Sequence, residues 1–109
     1  MNKLYIAVLD SVPSNMVPVL VAHAVLTSHI KFCNEEFYKE WLHTSFRKCV
    51  VKVNKKEFEK IKKLEYVSET GENKTLNGDV SCLVIPPYYE TAPNVLAFSK
   101  LWRVEENGN

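Results

Sequence analysis

Apolar residues occupy both parities of Leu4–Leu9 and then nearly every position from Met16 to Leu26, where His23 is the single interruption. The first run predicts a strand covered on both faces. The second predicts a helix covered on most sides, because a half-exposed surface helix shows regular polar interruptions. Between them Asp10–Asn15 reads as a turn. Ser14 or Asn15 is placed to cap the helix, and Pro18 is tolerated because it falls in the first turn. The helix is expected to reach about Lys31.

Farther along, Asn34 is placed to cap a second helix from Glu35 to about Thr44, with Phe37 and Trp41 on its apolar side. Phe46–Val53 reads as a second strand. Asn54 ends it and, with Glu57 three residues on, forms a capping-box pattern that opens a third helix to about Leu64. Tyr66–Ser68 is expected to be a short strand and Glu69–Asp79 a polar loop. Val80–Ile85 is a third long apolar strand, stopped by Pro86 and Pro87. Thr91 is placed to cap a last helix that carries Val95, Leu96, Phe98, Leu101 and Trp102, and residues 105–109 read as a frayed tail.

This order predicts one domain over residues 1–109, of α/β class. The expected architecture is a three-layer α/β/α arrangement with a mixed, mostly parallel central sheet of about four strands. Leu4–Leu9 is expected to be central, since an edge strand so apolar would invite aggregation. Sheets of this class hold ligands beyond the carboxyl ends of their strands. The loops to watch are therefore Asp10–Asn15, Asn54 and Pro86–Glu90.

Composition narrows the classes. At 109 residues the chain has room for one hydrophobic core. Fourteen Lys and Arg against thirteen Asp and Glu leave a net charge of +1, so no global field draws the chain to nucleic acid and any such contact must be local. Three widely spaced cysteines (Cys33, Cys49, Cys82) without a C-x-x-C pair suit a reducing cytoplasm. The apolar run at 16–26 is too short to span a bilayer, and the strand and loop before it are unlike a signal peptide.

His23 is the strongest single candidate for chemistry: a general base, or a contact to a phosphate or a ring. The commoner role for such an imidazole is a core residue bonded to a carbonyl or hydroxyl. His29 and His43 read as surface residues at helix ends. No pair of histidines has metal-ligand spacing, so neither a metal nor a cofactor is expected. Glu69, Glu72 and Asp79 offer carboxylates in a solvated loop. Ser14 and Asn15 could cradle an anion at a helix N-terminus, although simple capping is commoner. Tyr88 and Tyr89 suit stacking on a base, against the plainer role of packing a turn. The lysines at 55, 56, 60, 62 and 63 are interleaved with glutamates and read as a solvated face. Glycine-rich phosphate loops and the G-x-S-x-G elbow are absent.

The buried first strand, the loop into an apolar helix with Ala22-His23-Ala24, Trp41 before CVVKV, the N-x-x-E-F helix, SCLVI into a proline turn and the closing FSKLW together resemble the type 2 peptidyl-tRNA hydrolases. The resemblance covers Lys3–Trp102. It implies a catalytic set of His23, Glu69 and Ser81, retained by chemical type. Met16 stands where the family carries a lysine and Leu20 where it carries a glutamine. The segment Glu69-Thr70-Gly71-Glu72-Asn73 keeps the family's acid and glycine but not its threonine. The resemblance with these departures implies a divergent member that binds a nucleotide, a nucleotide-derived signal or an RNA end with little or no turnover. The expected ligand contacts are Ser14, Asn15, His23, Tyr88 and Tyr89. The alternatives are an active peptidyl-tRNA hydrolase, or an oligomeric protein-interaction module. A homodimer is expected, because the helix has more apolar circumference than one sheet face can cover.

Overall fold

The computed structural model of the chain describes residues 1–71 and 78–103. Five strands, β1 (Lys3–Leu9), β2 (Arg47–Val53), β3 (Ser68–Gly71), β4 (Val80–Ile85) and β5 (Lys100–Leu101), form one sheet in the order β3-β4-β1-β2-β5. Four helices accompany them: α1 (Val17–Phe32), α2 (Glu36–His43), α3 (Lys55–Lys62) and α4 (Asn94–Ala97), with a 3-10 turn at Ser14–Met16. β1 lies in the middle of the sheet, as its doubly apolar pattern predicts.

The sheet is mixed but not mostly parallel. β1 and β2 are parallel, whereas β4 runs antiparallel to β1, β3 to β4 and β5 to β2. A parallel neighbour needs a crossover of roughly a dozen residues or more. The stretch between Gly71 and Val80 is shorter than that, so β3 and β4 can pair only as antiparallel neighbours. At the other edge, the expected continuous last helix is a four-residue turn of helix followed by β5, a strand the helical reading of the closing segment hid. Thr91 does not cap it; Pro93 is the N-cap residue, with no side-chain bond.

Alternation along β1 feeds two cores. Leu4, Ile6 and Val8 join Val17, Leu20, Ala24 and Phe32 of α1 with Tyr38 and Trp41 of α2. Ala7 joins Val51 and Val53, Phe58 and Ile61 of α3, Leu83 and Ile85, and Leu96 of α4. β4 divides in the same way, Cys82 and Val84 to the first core and Leu83 and Ile85 to the second.

Of the expected caps one is present. The Asn54 side chain accepts from the Glu57 N–H at 2.8 Å, and the Glu57 carboxylate accepts from the Asn54 N–H at 2.9 Å, a complete capping box. Neither Ser14 nor Asn15 caps α1, because the 3-10 turn moves its start to Val17 with Met16 as N-cap. Asn34 does not cap α2 either; Glu35 is its N-cap residue. Strand β2 begins one residue later than expected, since Phe46 holds a left-handed φ of 54°. Strand β3 begins at Ser68 rather than Tyr66, so Glu69 stands in a strand and not in a loop.

Candidate functional site

The strand directions separate residues that the sequence suggested as one pocket. Ile85, at the end of β4, pairs with Tyr5 near the start of β1. Pro86–Glu90 therefore lies at the amino end of β1, and the Met1 ammonium donates to the Glu90 carbonyl there. Ser14 and Asn15 follow the carboxyl end of β1, about 20 Å away at ~3.3 Å per strand residue. The three loops do not converge: Asp10–Asn15 and Asn54 share one end of the sheet, and Tyr88 and Tyr89 stand at the other.

His23 is neither buried nor aimed at the sheet. The buried residues of α1 are Val17, Leu20, Ala24, Ser28 and Phe32, one continuous stripe. His23 is exposed on the opposite face, in register with Val19, Leu26 and Ile30. Glu69 pairs across the ladder with Leu83 of the second core, while its neighbours Ser68 and Thr70 pair with Val84 and Cys82 of the first. Directly opposed residues share a face. Glu69 and His23 thus have the sheet and the body of α1 between them. Ser81 is buried where the β3–β4 register shifts, and its hydroxyl has no hydrogen-bond partner. Glu72 lies outside the described residues, and Asp79 is exposed beside Gly78.

Tyr88 and Tyr89 are held in an aromatic cluster. Tyr88 meets Tyr66 at 4.4 Å between ring centres, Phe37 at 5.3 Å and Tyr89 at 5.2 Å. Tyr66 adopts a left-handed φ of 58° to present its ring. The Tyr89 hydroxyl accepts from the Glu65 N–H at 2.9 Å, a turn-fixing role. The Glu65 charge, followed by burial, pushes the Tyr88 phenol above its ordinary range.

Among the described residues a broad apolar feature lies on α1 and α2. Val19, Leu26 and Ile30 are 50%, 63% and 72% exposed on the outward face of α1. Beside them a groove of about 440 Å³ runs between the helices. Val21 and Val25 form one wall, Tyr38 and Leu42 the other, and Trp41 and Phe46 close it. The Trp41 indole N–H donates to the Arg47 carbonyl at 2.9 Å, and Tyr38 shares a 2.9 Å hydrogen bond with His29 Nδ1. Burial raises the Tyr38 phenol above its usual range, with Cys33 adding to the effect. The sequence reading missed Phe46 and Lys48 as groove residues. The signal was there in part: Val21, Val25 and His29 recur every four residues on a flank that the sheet cannot also cover.

Among the described residues no group of three or more His, Cys, Asp or Glu is placed to hold a metal ion, and no helix is long and apolar enough to cross a membrane. Comparison with family models and with curated proteins gives no match for this chain.

Proposed function

We propose that this chain is a binding protein that works through the outward face of α1 and the groove between α1 and α2, and that a second copy covers this face. The observation that carries the reading is the exposed apolar surface of Val19, Leu26 and Ile30, interrupted by His23, with the groove beside it. Contiguous apolar patches beyond a few hundred Å² are unusual on a monomer. Helix α1 has sixteen residues, about 24 Å of length. With the groove beside it, that footprint approaches the ~800 Å² that a standard interface takes from each partner. An exposed helical ridge next to a groove of matching chemistry is self-complementary, which is what a two-fold contact requires.

The two cores on opposite faces of the sheet support a three-layer α/β/α reading, and the unbridged thiols of Cys33, Cys49 and Cys82 support a reducing, cytoplasmic setting. The central β1 and the apolar α1 are compatible with a divergent relative of the type 2 peptidyl-tRNA hydrolases. Turnover on peptidyl-tRNA is expected to be weak or absent, because His23, Glu69 and Ser81 do not converge and Met16 supplies no charge.

Sedimentation velocity tests the reading. The native chain should be a dimer at micromolar concentration, and Leu26→Asp or Ile30→Asp should be monomeric with an unchanged circular dichroism spectrum. A monomeric native chain would count directly against it. Robust peptidyl-tRNA cleavage abolished by His23→Ala would favour the hydrolase instead.

A further inference from the structure

At the far edge of the sheet Lys52 of β2 stands directly opposite Lys100 of β5. Opposed side chains on an antiparallel pair share one face with Cβ atoms about 5 Å apart, and like charges there are destabilising. Among the described residues no carboxylate pairs with either ammonium. The Lys52 ammonium lies instead 5.2 Å from the centre of the Trp102 ring, a contact that fixes its position without neutralising it.

The start of α3 lies at the same end of the sheet. The capping-box residue Asn54 opens α3, and the next two residues are Lys55 and Lys56, at the helix end where the macrodipole favours acids. Lys52, Lys100, Asn54, Glu57, Asp10 and Phe98 line a cleft of about 380 Å³, within the usual size range for small-ligand sites. Glu57 is occupied by the capping box. Asp10 is held by its backbone N–H on the Val53 carbonyl at 2.8 Å. Phe98 is 84% exposed at the cleft's edge, an aromatic ring with almost nothing over it. Asp10 and Asn54 end β1 and β2, so the cleft lies beyond the carboxyl ends of the parallel pair, where sheets of this class hold ligands.

We infer that this cleft binds a nucleoside monophosphate unit, free or as the end of a single-stranded nucleic acid. The phosphate lies between Lys52 and Lys100 and relieves their repulsion. The base stacks on Phe98, and Asp10 accepts from a sugar hydroxyl. The site is independent of the α1 surface and of the Tyr88–Tyr89 turn.

The test is a ¹⁵N NMR titration of the full chain with adenosine 5′-monophosphate, adenosine, inorganic phosphate and a short oligoadenylate. The monophosphate should give saturable shifts at the Lys52, Asn54 and Lys100 amides and the Trp102 indole N–H, and bind more tightly than adenosine or phosphate. Lys52→Gln and Lys100→Gln should each weaken it by about tenfold, the scale of one charge-assisted hydrogen bond. Phe98→Ala should weaken the monophosphate and leave phosphate unchanged. These residues are exposed, so the rest of each variant's spectrum should stay in place. Tighter binding of the oligoadenylate with the same residue dependence supports a strand end as the source, and equal affinity supports the free nucleotide. No saturable shift with any probe, shifts confined to the Tyr88 turn, or binding that both lysine variants retain would overturn the inference.

Discussion

Phe46 stacks on Trp41 with ring centres 5.5 Å apart and planes 28° apart, while the Lys48 ammonium stands 3.2 Å from the Phe46 ring centre. Phe46 does this from a left-handed backbone conformation, uncommon for a bulky residue. Holding it there costs on the order of 1–3 kcal/mol, and an aromatic pair returns about 0.5–1.5 kcal/mol beyond its burial. Phe46→Gly should therefore change the melting temperature little, since backbone relief offsets the lost stacking. Self-association should weaken by about tenfold, the effect of one modest interface contact. An unchanged dimerisation constant would exclude this ring from the interface.

Gly71 closes the β3–β4 pairing. A β-carbon there would come within 2.8 Å of the Gly78 carbonyl oxygen and 2.4 Å of that of Asp79. Both are backbone atoms, so the strands themselves would have to move. Gly71→Ala should destabilise the chain by about 1–3 kcal/mol, as overpacking does. Urea unfolding measures it; a loss well below 1 kcal/mol would mean that the β3–β4 pairing yields freely.

Thr70 buries its hydroxyl against the first core with no hydrogen-bond partner, and the buried hydroxyls of Ser68 and Ser81 are likewise unpartnered. Removing such a group without changing its shape recovers a desolvation cost of about 1–3 kcal/mol. Thr70→Val should raise the midpoint of urea unfolding. A lowered midpoint would show that the hydroxyl is engaged and worth keeping.

Burial pushes the Cys82 thiol up to about 12 from its ordinary value of 9.0. The folded chain thus holds this proton in a range where the unfolded chain releases it. The stabilisation is fully present below about pH 9 and is lost as pH rises towards 12. Comparing Cys82→Ala with the native chain across that window isolates the thiol, because Tyr5 and Tyr38, both raised, are common to the two. The variant's stability should fall less steeply with alkali. In the native fold Cys82 should also resist alkylation at pH 8 while Cys33 and Cys49, both partly exposed, react. Equal modification of all three would contradict the burial.

Much of the local structure was legible from side-chain pattern alone. Leu4–Leu9 declared a doubly covered strand, and Asn54 with Glu57 declared a helix start that the structure completes in both hydrogen bonds. The candidate site was less legible. His23 reads as buried because its neighbours are apolar, yet it stands outward among Val19, Leu26 and Ile30. A pattern records how apolar a face is, and not whether the same chain covers it.

The sequence by itself determined the α/β class, the central place of β1 and the order of nearly every element, because these follow from short-range alternation and helical period. Strand direction belonged to the tertiary structure. A strand with the sequence of β4 can pair either way, and the short stretch before it together with the register against β1 decides for antiparallel. That choice moves Tyr88 and Tyr89 away from Ser14 and Asn15. A two-residue strand such as β5 is likewise invisible in sequence, since it has no periodicity of its own. Its pairing with β2 alone sets Lys100 opposite Lys52 and makes the cleft between them.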